Sequence, residues 1–197
     1  MARLTFPMLI ALTLLQQLAA QRLSAPPLLS PDGAYALVGG DSQPQLWLED
    51  KRTRERKMVF QVTLQTLTLA WSPDSAAFIA NDRMVSDIQV AWIYSVPKLT
   101  RLDLRARIVA ADPEAIRFTP GENRTVHSYV HAIRWLDAKH VEVQLHGHLD
   151  DEIRVGNAIK PGHCFDLRYR IGTNGSVRKL SRRVVEISDK TGCDGME

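Results

Sequence analysis

Long apolar runs, cysteine and unbalanced charge are all scarce in this 197-residue chain, and each scarcity excludes something. With 25 basic and 22 acidic residues the formal charge is +3, too small to support nucleic-acid binding, which rests on many phosphate-neutralising cations. The dense basic stretch from Lys51 to Lys57 carries Glu55 and lies between two strand-like runs, so it reads as a solvated hairpin. There is no Gly-x-Ser-x-Gly nucleophile motif. Asp150 and Asp151 are adjacent, so a strand would point them to opposite faces and deny them the geometry of a glycosidase pair. The histidine spacing matches no established metal motif. The chain is therefore read as non-catalytic, with no cofactor and no nucleic-acid partner expected.

The apolar run from Phe6 to Leu15 is about half the ~20 residues that a membrane-spanning helix needs. It follows Arg3 and leads into Gln16-Gln17-Leu18-Ala19-Ala20, the plan of a cleaved secretory signal, with cleavage expected after Ala20. A retained anchor or a buried helix is the alternative. No cysteine follows the run, which argues against an acylated lipoprotein. Export would deliver residues 21–197 to the periplasm or the outside of the cell as a single domain with no membrane span. In an oxidising compartment Cys164 and Cys193 are expected to form a disulfide that ties the tail to a strand. Two free thiols, or a nucleophilic Cys164 beside His163, are the alternatives.

What the chain does contain is a repeated turn. Ser30-Pro31-Asp32-Gly33 combines a proline that presets the first corner, an aspartate that can bond the following backbone and a glycine that accepts positive φ. Strands are expected at 34–38, 45–48 and 58–62. Ser72-Pro73-Asp74-Ser75 opens a second unit 42 residues after Ser30, preceded by a strand at 67–71 and followed by strands at 76–80, 88–94 and 98–104. The third unit begins at Ala132, about twenty residues late, so 105–131 is read as an insert holding one helical turn at Asp112-Pro113-Glu114-Ala115-Ile116. Strands at 132–135, 141–146, 165–171 and 176–180 follow, the last two joined by the hairpin turn Gly172-Thr173-Asn174-Gly175. Val184 to Ile187 reads as one strand more than three units need, able to close the sheet. Trp47, Trp71, Trp92 and Trp135 all fall in strands and are assigned to packing.

The segments SPDGAYALVGG and AWSPDSAAFIAND, followed by strands of the type QLWLED and VAWIYSV, resemble the Ser-Pro-Asp-Gly repeats of TolB-like and prolyl-oligopeptidase-type β-propellers. The likeness covers Leu28 to Leu104 well and Ile133 to Leu180 loosely, where Trp135-Leu136-Asp137 lacks the proline. It implies an all-β chain of three antiparallel propeller-like β-meander units, forming an open or irregular small propeller or barrel with one long inserted loop. Three units fall short of the four to eight blades of closed propellers, so the meander is open or chains associate as a homo-oligomer to complete a ring. The repeat serves turn geometry and carries no site. Such propellers are commonly platforms for protein partners or accessory domains of enzymes.

All six histidines fall between His127 and His163. His146 and His148 would share a strand face, as would His127 and His131, with Asp150, Asp151 and Glu152 close by. The expected function is a protein-binding module of the cell envelope, an immunity-type inhibitor of a toxic enzyme being one version. Its contact surface is expected to combine the insert with the segment from His146 to Glu152. The alternative is a small metal-binding protein or metal-dependent hydrolase using segment 127–163.

Overall fold

Two copies of one turn set the strand geometry. The Ser30 hydroxyl donates to Asp32 Oδ1 at 2.7 Å and accepts from the Tyr35 amide at 2.9 Å, while Asp32 Oδ1 accepts from the Ala34 amide at 3.0 Å. Ser72 and Asp74 repeat this, the hydroxyl donating at 2.7 Å and the Ala77 amide reaching Ser72 Oγ at 3.0 Å. Both serines are buried, so each hydroxyl is a fixed part of its turn. Gly33 and Ser75 hold the left-handed position, at φ 71° and 61°. At the third turn Asp137 does the work without a proline, accepting from the Lys139 amide at 2.8 Å and lying 2.9 Å from His140 Nδ1.

The computed structural model describes residues 27–39, 45–61, 66–85, 88–119, 126–149, 154–155, 158–159, 162–186 and 193, which divide into two units at residue 65. The expected signal segment and its cleavage point lie outside the described residues. In the first unit β1 (Leu28–Leu29), β2 (Tyr35–Gly39), β3 (Gln45–Asp50) and β4 (Arg56–Gln61) form an antiparallel meander in chain order. The expected solvated hairpin joins β3 to β4. There the buried Glu49 carboxylate gathers Lys51, Arg54 and Arg56 at 2.9–3.1 Å, so the basic cluster neutralises a carboxylate of its own.

The second unit merges two meanders. One contains β5 (Thr66–Trp71), β6 (Ala77–Val85), β7 (Ile88–Ser95) and β8 (Arg101–Asp103). The other contains β9 (Val126–Trp135), β10 (His140–Leu149), β13 (His163–Gly172) and β14 (Val177–Glu186), with the short pair β11 (Arg154–Val155) and β12 (Ala158–Ile159) between β10 and β13. The C-terminal half of β7 pairs antiparallel with β8, and its start pairs parallel with β9 at Ile88–Ser128 and Gln89–Tyr129. One eight-stranded, mostly antiparallel sheet results, and it does not close into a barrel. The chain is all-β in the manner of a partial propeller.

Two expectations are corrected. The insert holds the expected turn, as a 3-10 helix at Pro113–Phe118, but is otherwise more ordered than a loop: β8 ends at Asp103, helix α1 covers Leu104–Ala111, and residues 126–131 already belong to β9. Asp103 caps α1 by accepting from the Ala106 amide at 2.9 Å. Leu104, Ile108, Ala115 and Phe118 are buried against Val130, Leu145, Phe165 and Tyr169, and each large side chain stabilises by about 1.5–3 kcal/mol through the area it removes from water. Nor do residues 184–186 form a separate closing strand. They extend β14, which passes a bulge opposite Arg168/Tyr169 and continues beside β13 to Glu186; Ile187 lies outside the described residues.

Candidate polar face of the second sheet

Strand parity sorts β9, β10 and β13 into an apolar face and a polar face. Val130, Ala132, Val143, Leu145, Leu167 and Tyr169 point to the core under α1. Their neighbours point the other way and meet across the ladder in rows. His148 lies opposite His127 and Cys164, His146 opposite Tyr129 and Asp166, and Gln144 opposite His131 and Arg168.

Within the rows the rings touch. His127 and His148 stack at 4.2 Å between centroids with planes 18° apart, and Tyr129 and His146 lie 5.3 Å apart at 34°. The Gln89 amide donates to His131 Nδ1 at 2.8 Å, which leaves the proton of a neutral imidazole on Nε2. Burial lowers the His131 pKa below the ordinary histidine value. His146 is also lowered, first by burial and further by His131, against an opposing pull from the Asp166 carboxylate. Both rings are therefore neutral at pH 7. Asp166 is 8% exposed; its Oδ2 lies 3.6 Å from Arg168 Nη2, and its Oδ1 is buried with no hydrogen-bond partner.

The insert meets this region from behind. Arg105, at the start of α1, donates to Ser128 Oγ at 2.9 Å, to the Ser128 carbonyl at 2.8 Å and to the Gln89 carbonyl at 3.3 Å, clamping the parallel junction of β7 and β9. Ser128 alternates with His127 and Tyr129, so the helical part of the insert covers the face opposite the histidines. His127, His131, His146 and His148 are thus brought onto one face, and the helix is not part of it. Asp150, Asp151 and Glu152 lie outside the described residues. His140 sits apart, bonded to Asp137 and Arg170. Cys164 is joined to Cys193 by a disulfide, with Cα atoms 5.7 Å apart.

Tyr129, Asp166 and Gln89 belong to the face but were not singled out from the sequence. Tyr129 was legible in principle, since it sits at period two between His127 and His131. Asp166 and Gln89 join only through strand register, which no local pattern encodes. Among the described residues no group of three or more histidine, cysteine, aspartate or glutamate side chains is placed to hold a metal ion. The arrangement offers an aromatic surface edged by arginine and carboxylate, suited to noncovalent contact.

No family model and no curated protein matches this chain. Among solved structures it is similar to the tricorn protease (8% identity, TM-score 0.40, covering 78% of this chain and 22% of that one). It is also similar to TolB from Acinetobacter baumannii (15% identity, TM-score 0.36, covering 83% and 44%). A third is the β-propeller domain of Cps50 (Swd1) from Myceliophthora thermophila (15% identity, TM-score 0.33, covering 83% and 53%). The chain thus spans about half or less of each of these structures. No helix among the described residues is long and apolar enough to cross a membrane.

Proposed function

We propose that this chain is an exported, non-catalytic protein-binding module of the cell envelope that contacts its partner through the polar face of β9, β10 and β13. The observation that carries the reading is the row of His127, Tyr129, His131, His146 and His148 on one side of a sheet whose other side is sealed by α1. Tyrosine and the imidazoles present stiff, amphipathic rings at low entropic cost, and tyrosine is among the residues that interface centres favour. Arg168 and Asp166 at its margin add directional charge. Export is supported by the signal-like first twenty residues and by the disulfide, which persists in oxidising compartments. A finer version makes the chain an immunity-type inhibitor that caps a toxic enzyme reaching the same compartment.

The test is affinity purification from envelope extracts of the native host with the unaltered chain and with a Tyr129→Ala/His146→Ala variant, metal content being assayed on the same samples. One stoichiometric protein retained by the unaltered chain and lost by the folded variant is expected. Equal retention by both, or about one equivalent of zinc or copper with no protein partner, would overturn the reading.

A further inference from the structure

Asn174-Gly175 is the one Asn-Gly pair in the chain, and it lies at the tip of the β13–β14 hairpin. The pair carries an intramolecular reactivity. A glycine amide nitrogen, with no side chain to crowd it, attacks the side-chain carbonyl carbon of the asparagine before it. The N–Cγ bond forms, the Cγ–Nδ2 bond breaks, and ammonia leaves with the proton of the glycine amide. Water then opens the five-membered imide at either of its carbonyls, giving aspartate or its β-linked isomer.

The turn requires this glycine. Gly175 holds φ +84°, and a β-carbon there would collide with the Arg107 guanidinium. The turn also readies the asparagine. Asn174 is exposed, and its Oδ1 accepts from the Ser176 amide at 3.0 Å, which folds the side chain back over Gly172. An N–H on that oxygen stabilises the negative charge that attack at Cγ would place there.

Two contacts oppose the reaction. The Gly175 amide donates to the Gly172 carbonyl at 2.8 Å, so the attacking nitrogen is already engaged. Arg107 holds the Gly175 carbonyl through Nε at 3.1 Å and Nη2 at 2.7 Å, and Gly175 is buried beneath this clamp. To attack, the nitrogen must leave Gly172, a movement that the clamp on the same residue resists.

We infer that Asn174 is a site of spontaneous imide-forming modification and that Arg107 of α1 is its guard. Conversion proceeds only from molecules in which the hairpin tip has opened, so its rate follows the open fraction. The step is one-way. The β-linked product carries an extra methylene in the backbone of the tip, which displaces the Gly175 carbonyl from Arg107 and removes one fastening between the insert and the last hairpin. This inference is independent of the contact proposed for the histidine face.

The unaltered full chain, Arg107→Gln, and the unaltered chain unfolded in urea are incubated in mildly alkaline buffer. The tryptic peptide Ile171–Arg178 is followed by mass spectrometry for the exchange of ammonia for water, with enzymatic methylation of β-linked aspartate as a second readout. Conversion is expected to be at least about tenfold slower in the folded chain than in urea, and Arg107→Gln should bring it most of the way to the urea rate. A second measurement holds even where the variant fails to fold: in the unaltered chain below its urea transition, conversion should rise in step with hydrogen exchange of the Gly175 amide. No conversion in urea would remove the site. Equal rates in the folded and unfolded chain, an unchanged rate in folded Arg107→Gln, or conversion that does not follow the exchange would each overturn the guarding role.

Discussion

Tyr169 donates its hydroxyl to Asp112 Oδ2 at 2.9 Å across 57 residues of sequence, joining the middle of β13 to the junction of α1 and the 3-10 helix. Lys179 of β14 reaches the same oxygen at 2.6 Å, and Arg107 of α1 donates twice to the Gly175 carbonyl in the β13–β14 turn. The insert is therefore fastened to the last hairpin from the middle of its helix and from the helix's C-terminal end.

Tyr169→Phe keeps the ring in the core and deletes the hydroxyl, leaving Lys179 to satisfy Asp112. A loss of about 1–2 kcal/mol is expected, read as a lower urea midpoint with an unchanged slope. An unchanged midpoint would show that the hydrogen bond contributes nothing beyond what water supplies.

Acid should weaken the same junction. Burial pushes the Asp112 pKa up, but the hydrogen bonds from Lys179 and Tyr169 outweigh it and hold the group below the ordinary carboxylate value. Stabilisation from a depressed carboxylate is present above its unfolded pKa, about 3.9, and is lost as pH falls through the lower folded value. Asp112→Asn should therefore cost stability near neutral pH and remove part of the acid dependence. A variant that parallels the unaltered chain at every pH would contradict this.

Gly147 adopts φ +149° in β10, and a β-carbon there would collide with the His127 carbonyl and crowd Phe165. Gly147→Ala should destabilise by about 2–5 kcal/mol through backbone strain and overpacking, and should disturb the neighbouring His127–His148 stack. Thermal denaturation with one-dimensional NMR of the imidazole protons checks both parts. A native-like Tm would rule out the close approach.

His131 and His146 should make the second unit sensitive to mild acid. Their folded pKa values lie below the unfolded one, so the unfolded chain takes up protons first as pH falls from about 6.5, and stability declines down to the folded pKa. His146→Gln should flatten urea midpoints across that window. Equal slopes for the variant and the unaltered chain would mean that His146 titrates as if exposed.

The parts of the fold written in local chemistry were legible. Serine, aspartate and glycine or serine at 30–33 and 72–75 need only their own neighbours to form turns, and the alternation from Phe165 to Ile171 declares a strand with one wet face. Helix α1 was not legible: Leu104-Arg-Ala-Arg-Ile-Val-Ala-Ala buries only Leu104 and Ile108, too few apolar positions to show a helical stripe beside the preceding strand. Ser181-Arg182-Arg183 looked like a break between two strands, yet β14 runs through it because an edge strand leaves both cations at the surface, where Arg182 reaches Glu114 and Arg183 lies opposite Asp166. For the candidate face, the histidines were visible as a cluster, but their shared side and the arrival of Gln89 and Asp166 depend on register between strands distant in sequence. The same distance hid the role of the insert, whose apolar residues complete the core of a hairpin that follows it.

The most direct test of the proposed contact is photocrosslinking in the native envelope, with a benzophenone amino acid replacing Tyr129 on the histidine face and, separately, Lys98 in the turn between β7 and β8. The account predicts one discrete protein adduct from position 129, abolished by His146→Glu, and none from position 98. No adduct from 129, or the same adduct from both positions, would contradict it.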